Sequence, residues 1–303
     1  MVADDERPNV LRVYRLDGTR HPQREPAADR HLAAFLGDGA EADLEATAHA
    51  GGLIAWLGSH GRDAAGAWRP ARQVILATDP HLVPVGRPYR DLLAALALAD
   101  QDWRLGLAEA IGAPGTTVPA LAPERSGLSI EGAAHLPAVL AGTPGEVVLL
   151  GLRNPAAADG RAILLPLLNL PAVLTLGAEP AFAAPYLLDL DGLRVRDLAW
   201  WDERDMMLIL AGTKDDRADF RLYGWSGQPG DSPRLLQRLH RLNPEAVLPL
   251  DGARLLLLSD DGDRLVRTTA RGCRHAREDG RCRCKDLADP ARRRSRGHIL
   301  RLG

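Results

Sequence analysis

The sequence is poor in several features that would restrict what the protein can be. It has only three cysteines, and all lie between residues 273 and 284, so no disulfide framework can extend across the chain. Apolar runs such as Ala162 to Leu168 are far shorter than the ~20 residues of a membrane helix. The first six residues include three consecutive acids and do not resemble a secretory signal. We therefore expect a cytoplasmic protein with no membrane segment.

Net charge is also nearly absent. Lysines and arginines number 38 and acids 40, for a formal charge of −2, which argues against nucleic acid as the main partner. Residues 271–296 are an exception, with ten Arg or Lys against four Asp or Glu. This basic stretch lacks interleaved aromatic residues that would stack on bases, so it is typical of a solvated loop or of a contact with an anionic partner. We expect the protein to be a monomer.

What the sequence does contain is a repeat. Apolar residues make up 46% of the chain, enough for a full core. Four times, an acid lies in an apolar strand that is followed by a turn, a strongly apolar strand and a polar tip. A third apolar strand follows each pair. The repeated acids are Glu45, Glu131, Asp197 and Glu245, and the third strands are expected at 73–78, 161–165, 220–225 and 264–268.

Short strands with regular turns predict an all-β fold. Tight-turn pairs such as Asp159-Gly160 and Asp261-Gly262 separate the strands, and a unit of about 40–50 residues favours a β-propeller. We predict a single domain over residues 1–303 with five or six blades, or seven if a degenerate blade lies in one of the longer gaps. Residues 86–125 read as a small helical insertion between blades, and 271–296 as a basic, cysteine-containing loop in the last blade.

Equivalent positions on the first strands of successive blades would surround one channel. Glu45, Glu131, Asp197 and Glu245 would then be neighbours, and four adjacent carboxylates need either a cation or raised pKa values. Ca²⁺, with about six to eight oxygen ligands, is the simplest neutralising ion. The alternative is structural: each acid pairs with a nearby arginine and ties one blade to the next.

The polar tips of the second strands supply further candidates. His60, in Ser59-His60-Gly61-Arg62, is a candidate general base, with a merely solvated histidine as the alternative. The tips also carry Arg62, Arg153, Asn154 and Lys214, which would suit an anionic ligand at the same rim. Ser59 lacks the Gly-x-Ser-x-Gly surroundings of an esterase nucleophile.

The cysteine segment has three readings. Cys273, His275, Cys282 and Cys284 could complete a tetrahedral Zn²⁺ site, although their spacings are tighter than usual. A disulfide from Cys273 to Cys282 or to Cys284 is the second reading, and thiols in a loop are the third.

Several of these motifs together resemble one bacterial family. They are Ser59-His60-Gly61-Arg62, Gly127-Leu128-Ser129-Ile130-Glu131-Gly132, Gly151-Leu152-Arg153-Asn154-Pro155, Val195-Arg196-Asp197-Leu198, Asn243-Pro244-Glu245-Ala246, Ser259-Asp260-Asp261-Gly262 and Cys284-Lys285-Asp286-Leu287. Over residues 40 to 302 the chain is similar to the domain of unknown function 3616 family, which implies a propeller-like fold and no established reaction. A looser similarity links it to esterase-like phytase and gluconolactonase-type propellers, where a Glu-Gly strand like Glu131-Gly132 contributes to a channel metal.

Two functions are compatible with these patterns. One is a divalent-cation-dependent hydrolase of a small phosphate or carboxylic ester, with its site at the central channel and His60 or one of the acids as base. The other is a non-enzymatic propeller that binds a small anionic molecule or a protein partner through its rim or its helical insertion.

Overall fold

The structure is a computed structural model of the 303-residue chain. It describes residues 2–4, 9–15, 23–37, 40–137, 145–213, 219–240, 242–275, 279–289, 292–293 and 295–303.

Strands dominate these residues. The helices are α1 (Ala33–Leu36), α2 (Leu92–Trp103), α3 (Leu107–Ile111) and α4 (Leu170–Leu176). The strands are β1 (Val2–Asp4), β2 (Val10–Arg12), β3 (Tyr14–Arg15), β4 (Gln23–Arg24), β5 (Arg30–His31), β6 (Leu44–Ala50), β7 (Leu53–Gly58), β8 (Ile75–Thr78), β9 (Pro84–Tyr89), β10 (Ser129–Leu136), β11 (Val147–Asn154), β12 (Ala162–Leu167), β13 (Tyr186–Leu188), β14 (Arg194–Trp201), β15 (Met206–Gly212), β16 (Phe220–Trp225), β17 (Arg234–Leu239), β18 (Pro244–Pro249), β19 (Arg254–Ser259), β20 (Leu265–Arg267), β21 (Arg281–Arg283) and β22 (Arg296–Arg301).

Four consecutive antiparallel sheets contain the sequence repeats. Sheet I has the order β6-β7-β8-β9, sheet II β10-β11-β12-β13 and sheet III β14-β15-β16-β17, each in chain order. Sheet IV has the order β18-β19-β22. A smaller sheet, β1-β2-β5, precedes them. The prediction of an all-β fold built from repeated antiparallel sheets is confirmed.

The third strand of sheet IV was predicted wrongly. The sequence pattern placed it at residues 264–268, but β20 pairs with β21 in a separate hairpin. The C-terminal strand β22 takes that place instead and pairs with β19 from Arg254↔Arg301 to Ser259↔Arg296. The fourth repeat therefore does not supply the third strand of its sheet from the residues that follow it. The C-terminal strand β22 takes that position.

The core lies between the sheets. All eight residues of β11 are buried, as expected for a strand covered on both faces. Leu149 of sheet II packs in one cluster with Val195 and Ile209 of sheet III. A second cluster joins sheet III to sheet IV and includes Trp201. Sheet-on-sheet burial of this kind explains why the second strand of each repeat is so apolar.

The first strands of neighbouring sheets lie side by side. β10 contacts both β6 and β14, and β14 contacts β18. At the other end of the series, β1 of the small N-terminal sheet contacts β6. Between sheets I and II the chain forms α2 and α3, where helices were expected at 89–99 and 105–111. No helix in the described ranges is long and apolar enough to cross a membrane.

Candidate functional site

The first strand of every sheet from I to IV contains a β-bulge at the same place. In the pairing of β6 with β7, Leu44 faces Gly58 and Ala46 faces Leu57, so Glu45 is the extra residue. The same shift leaves out one residue in β10, β14 and β18. We call these four residues the bulge cluster: Glu45, Glu131, Arg196 and Glu245. A bulge directs its extra side chain away from the ordinary strand alternation, which sets these four apart from their neighbours.

The third member corrects the sequence prediction by one residue. Asp197 was expected to be equivalent to the three glutamates, but it pairs with Leu210 while Val195 pairs with Ala211. Arg196 is therefore the bulged residue. The cluster consists of three acids and one arginine, and the predicted ring of four acids is wrong at this position.

The arginine lies between two of the acids. Arg196 is 4% exposed, and its Nη1 lies 3.2 Å from Glu131 Oε2. The same guanidinium forms a bidentate pair with Glu245, in which Nε donates to Oε2 at 3.1 Å and Nη2 donates to Oε1. Arg153 completes the group by donating from Nη1 to Glu131 Oε1 at 3.0 Å. The ion pair with Glu131 ties sheet III to sheet II, and the charge-assisted hydrogen bonds with Glu245 tie it to sheet IV.

Asp197 has a different role from the one predicted. Its carboxylate accepts hydrogen bonds from its neighbour Leu198 N–H and from Val247 N–H, both at 2.8 Å, so it joins β14 to β18 through the backbone. Burial raises its pKa to about 8, against the opposing effect of these two N–H groups.

A second polar group precedes the bulge in sheet I. The buried Asp43 accepts a hydrogen bond from the Ser59 hydroxyl at 2.5 Å and another from Arg72 Nη1 at 2.8 Å. Burial raises the pKa of Asp43, and the charge of the nearby Glu131 adds to that rise, while Arg72 and Ser59 lower it. The sequence analysis missed Asp43 and Arg72. A usable signal existed, because the residue two positions before each bulge is polar in all four copies (Asp43, Ser129, Arg194 and Asn243).

His60 is the most unusual of the predicted residues. It is 3% exposed and has a positive φ of 56°. Its Nδ1 lies 2.7 Å from Gly58 O, whereas its buried Nε2 has no hydrogen-bond partner among the described residues. Burial lowers its pKa to about 4, so the imidazole is neutral near neutral pH. Its Nε2 is therefore unprotonated, but a pKa this low makes it a weak base.

Arg62 was predicted to bind a ligand, but its guanidinium is engaged inside the protein. Its donors reach the carbonyls of Ile111, Ala113 and Thr116 at 2.7–3.4 Å, and its plane lies over Trp68 with 5.1 Å to the ring centroid. Arg62 therefore fastens the segment after α3 to sheet I and does not point an open charge at a rim.

The other predicted ligand-binding residues fall into three situations. Arg153 is buried and holds Glu131, as described above. Asn154 is also buried and donates to the Pro123 carbonyl. Lys214 lies outside the described residues. The structure therefore brings Arg153 to the bulge cluster, whereas Arg62 and Asn154 are held by backbone carbonyls elsewhere.

The bulge cluster does not fit a resident Ca²⁺. Both carboxylate oxygens of Glu131 face guanidinium groups, and Glu245 is held by the same arginine. In the part of the chain that the structure describes, no group of three or more His, Cys, Asp or Glu side chains is arranged to hold a metal ion. The arginine alternative is the one that this geometry matches.

The cysteine segment contains a disulfide between Cys273 and Cys282, one of the alternatives kept open by the sequence. These two sulfurs are not available to Zn²⁺, which leaves the buried thiol of Cys284 and the exposed His275. A disulfide is more typical of an oxidising compartment, so it argues against the cytoplasmic prediction, which stays a prediction.

Comparisons with known proteins give one match. A search of curated proteins found none. The one match is to a different family, described next, so the looser likeness to phytase and gluconolactonase propellers stays a prediction. Residues 115–254, which carry sheets II and III and the start of sheet IV, match the family described as "Protein of unknown function (DUF3616)". Over these residues the chain is similar to that family.

Proposed function

We propose that the chain is a five-bladed β-propeller that acts as a non-enzymatic binding module. Sheets I to IV would be four successive blades, and the sheet β1-β2-β5 the fifth. The side-by-side first strands support this arrangement, as does the contact of β1 with β6. The common bulge supports it as well, because it marks the same point in each first strand.

One observation carries the functional half of the proposal: two of the three acids of the bulge cluster, Glu131 and Glu245, are paired with arginines inside the protein. Arg196 satisfies Glu131 and Glu245 at once, and Arg153 satisfies the remaining oxygen of Glu131. A buried carboxylate that two guanidinium groups hold is not an open general base or a cation ligand. The centre then serves as a rigid hub, and recognition is left to the outer surface.

The test compares the response to divalent cations with the response to loss of a charge. We expect Ca²⁺ and a chelator to leave the melting temperature unchanged, whereas Glu131→Gln lowers it because Arg153 and Arg196 lose a charged partner. Purified protein should not hydrolyse chromogenic phosphate or carboxylic esters. A Ca²⁺-dependent rise in melting temperature that disappears in Glu131→Gln would contradict the proposal.

A second candidate function is hydrolysis of a small phosphate or carboxylic ester, and it rests on His60. The buried Nε2 of a neutral imidazole lacks a partner among the described residues, and the neighbouring Ser59 is hydrogen-bonded to Asp43. This hypothesis predicts turnover of an ester that falls by about 10²-fold or more in His60→Asn. Asparagine is the suitable replacement because it tolerates a positive φ. Equal turnover in the two proteins would exclude His60 as the base.

A further inference from the structure

We propose that the outer edge of β22 binds an extended acidic segment of a partner protein as an added strand of sheet IV. This inference rests on the binding function proposed above and gives it a site and a class of partner. Strand addition supplies affinity through main-chain hydrogen bonds and specificity through alternate side chains.

The first support is the open edge. Within the described residues, sheets I to III each have four strands, whereas sheet IV has three. β22 pairs with β19 along one edge, and no strand in the described ranges pairs with the other. Four of its six residues are exposed, including Ile299 at 49%. In an antiparallel pair about half of the N–H and C=O groups point away from the partner, so β22 presents such groups to an incoming strand.

The second support is a groove beside that edge. It has a volume of about 360 Å³ and runs between β22 and the C-terminal end of β17. The buried Leu239, with Leu242 and Leu300, supplies an apolar part. The polar lining consists of Gln237, Arg238, His240, Arg296 and His298. No acidic side chain belongs to this lining among the described residues.

The charge of the groove selects the partner. Two acids beside the lining residues are each held by an arginine: Asp219 by Arg221 at 2.8 Å, and Asp261 by Arg296 at 2.7 and 2.8 Å. Arg238 and two histidines add to this arginine-rich surface. A segment with acidic side chains on its groove-facing side is electrostatically complementary to it, whereas a basic segment is repelled.

A second copy of the chain is a poorer occupant of the same edge. Antiparallel pairing of two β22 strands would bring Arg296, His298 and Arg301 of one copy close to the same residues of the other. Like charges that face each other across strands are destabilising. The edge therefore favours a partner of opposite charge.

The experiment uses the full chain and a series of synthetic peptides about eight residues long, a usual strand length, in which Glu or Asp alternates with Val or Leu. Fluorescence anisotropy measures binding at low and high salt. We expect members of the acidic series to bind, the matching Lys/Val peptide not to bind, and high salt to weaken the complex. N-methylation of alternate peptide residues, in the phase that faces β22, should abolish binding because it removes the main-chain donors.

Charge reversal in the groove provides the matched variants. Arg238→Glu with His298→Glu should weaken binding about tenfold or more. Arg234→Glu with His81→Glu is the control, because both positions are exposed and lie outside the groove, and Arg234 is on the same strand as Arg238. No binding by any acidic peptide, or equal binding by both variants, overturns the proposal.

Two further measurements separate this inference from the proposed function. Sedimentation of the free protein should show a monomer, and a dimer that dissociates in Arg238→Glu, His298→Glu would mean that a second copy occupies the edge. Ester turnover or Ca²⁺ stabilisation would contradict the proposed function itself. Failure of peptide binding in a protein without either property would contradict only the groove.

Discussion

Two arginines on neighbouring sheets meet very different environments. Arg196 of β14 is almost fully buried and contacts two glutamates from neighbouring sheets. Arg254 of β19 pairs with Asp251, three residues away, with both side chains 41–48% exposed. A buried charge is stable only with full compensation, whereas water already compensates an exposed one. The comparison teaches that the buried charges determine how the sheets assemble, while the exposed charges contribute little to that assembly.

The strongest test of this contrast is to remove the buried arginine, Arg196. Arg196→Met keeps much of the side-chain volume but leaves Glu131 and Glu245 without their shared partner. We expect the free energy of unfolding to fall by about 3–5 kcal/mol, the usual cost of an uncompensated buried charge. Urea denaturation followed by tryptophan fluorescence measures this change.

Arg254→Met is the matched control for that experiment. Its loss removes only an exposed pair, so the change should stay below about 1 kcal/mol. A similar loss of unfolding free energy in both variants would contradict the distinction between buried and exposed charges.

The next prediction concerns the hairpin of β20 and β21, which contains the Cys273–Cys282 disulfide. Cys273→Ser with Cys282→Ser opens a loop closed across nine positions, and a loop of this size predicts a loss of about 2–3 kcal/mol. We expect hydrogen exchange to increase at residues 265–289 and to stay unchanged in sheets II and III. Increased hydrogen exchange in sheets II and III would show that the disulfide stabilises the whole fold.

The buried His60 should make the free energy of unfolding depend on pH. Its folded pKa of about 4 lies below the ordinary value of 6.5. The unfolded chain therefore binds more protons between these values, and the stability contributed by the neutral imidazole is lost as pH falls from 6.5 to 4. His60→Asn should remove this dependence, a change of about 2–3 kcal/mol between the two ends. Parallel profiles of wild type and variant would contradict it.

Asp197 should show the opposite slope. Its folded pKa of about 8 lies above its ordinary value of 3.8, so the folded chain binds more protons and stability falls as pH rises through this range. Asp197→Asn keeps a carbonyl acceptor for Val247 N–H and cannot ionise. We expect it to be more stable than the wild type by several kcal/mol at pH 9, because each unit of pKa shift is worth about 1.4 kcal/mol, with little difference at pH 4. Thermal melts at both pH values measure this difference.

The sequence allowed much of the repeated architecture to be predicted because that architecture depends on local patterns. Apolar strands at regular spacing indicated the first three sheets, and an alanine- and leucine-rich stretch indicated α2. The arrangement of sheet IV was not predictable in the same way. Its third strand comes from the C-terminus, and 28 residues separate β20 from β22 (296 − 268), so a local pattern could not distinguish them.

The candidate site shows a second limit of sequence reasoning. A β-bulge adds one residue to one strand of a pair, and apolar alternation does not reveal on which residue it falls. In the third copy an arginine and an aspartate are adjacent, and the acid was the natural choice beside three glutamates. The pairing of Val195 with Ala211 and of Asp197 with Leu210 decides for Arg196. The structural alternative expected each acid to pair with a nearby arginine, and Glu131 and Glu245 do so. It did not foresee that this arginine, Arg196, is itself a bulge residue.

The unequal occupants of the bulge limit how far this protein could be simplified by design. A symmetric repeat protein built from copies of sheet II alone would place a glutamate at every bulge and no arginine among them. Its neighbouring sheets would repel one another at the bulges unless a cation was supplied or the carboxyls took up protons. A designer would have to alternate Glu-bearing and Arg-bearing units, so the smallest workable building block would be a pair of sheets.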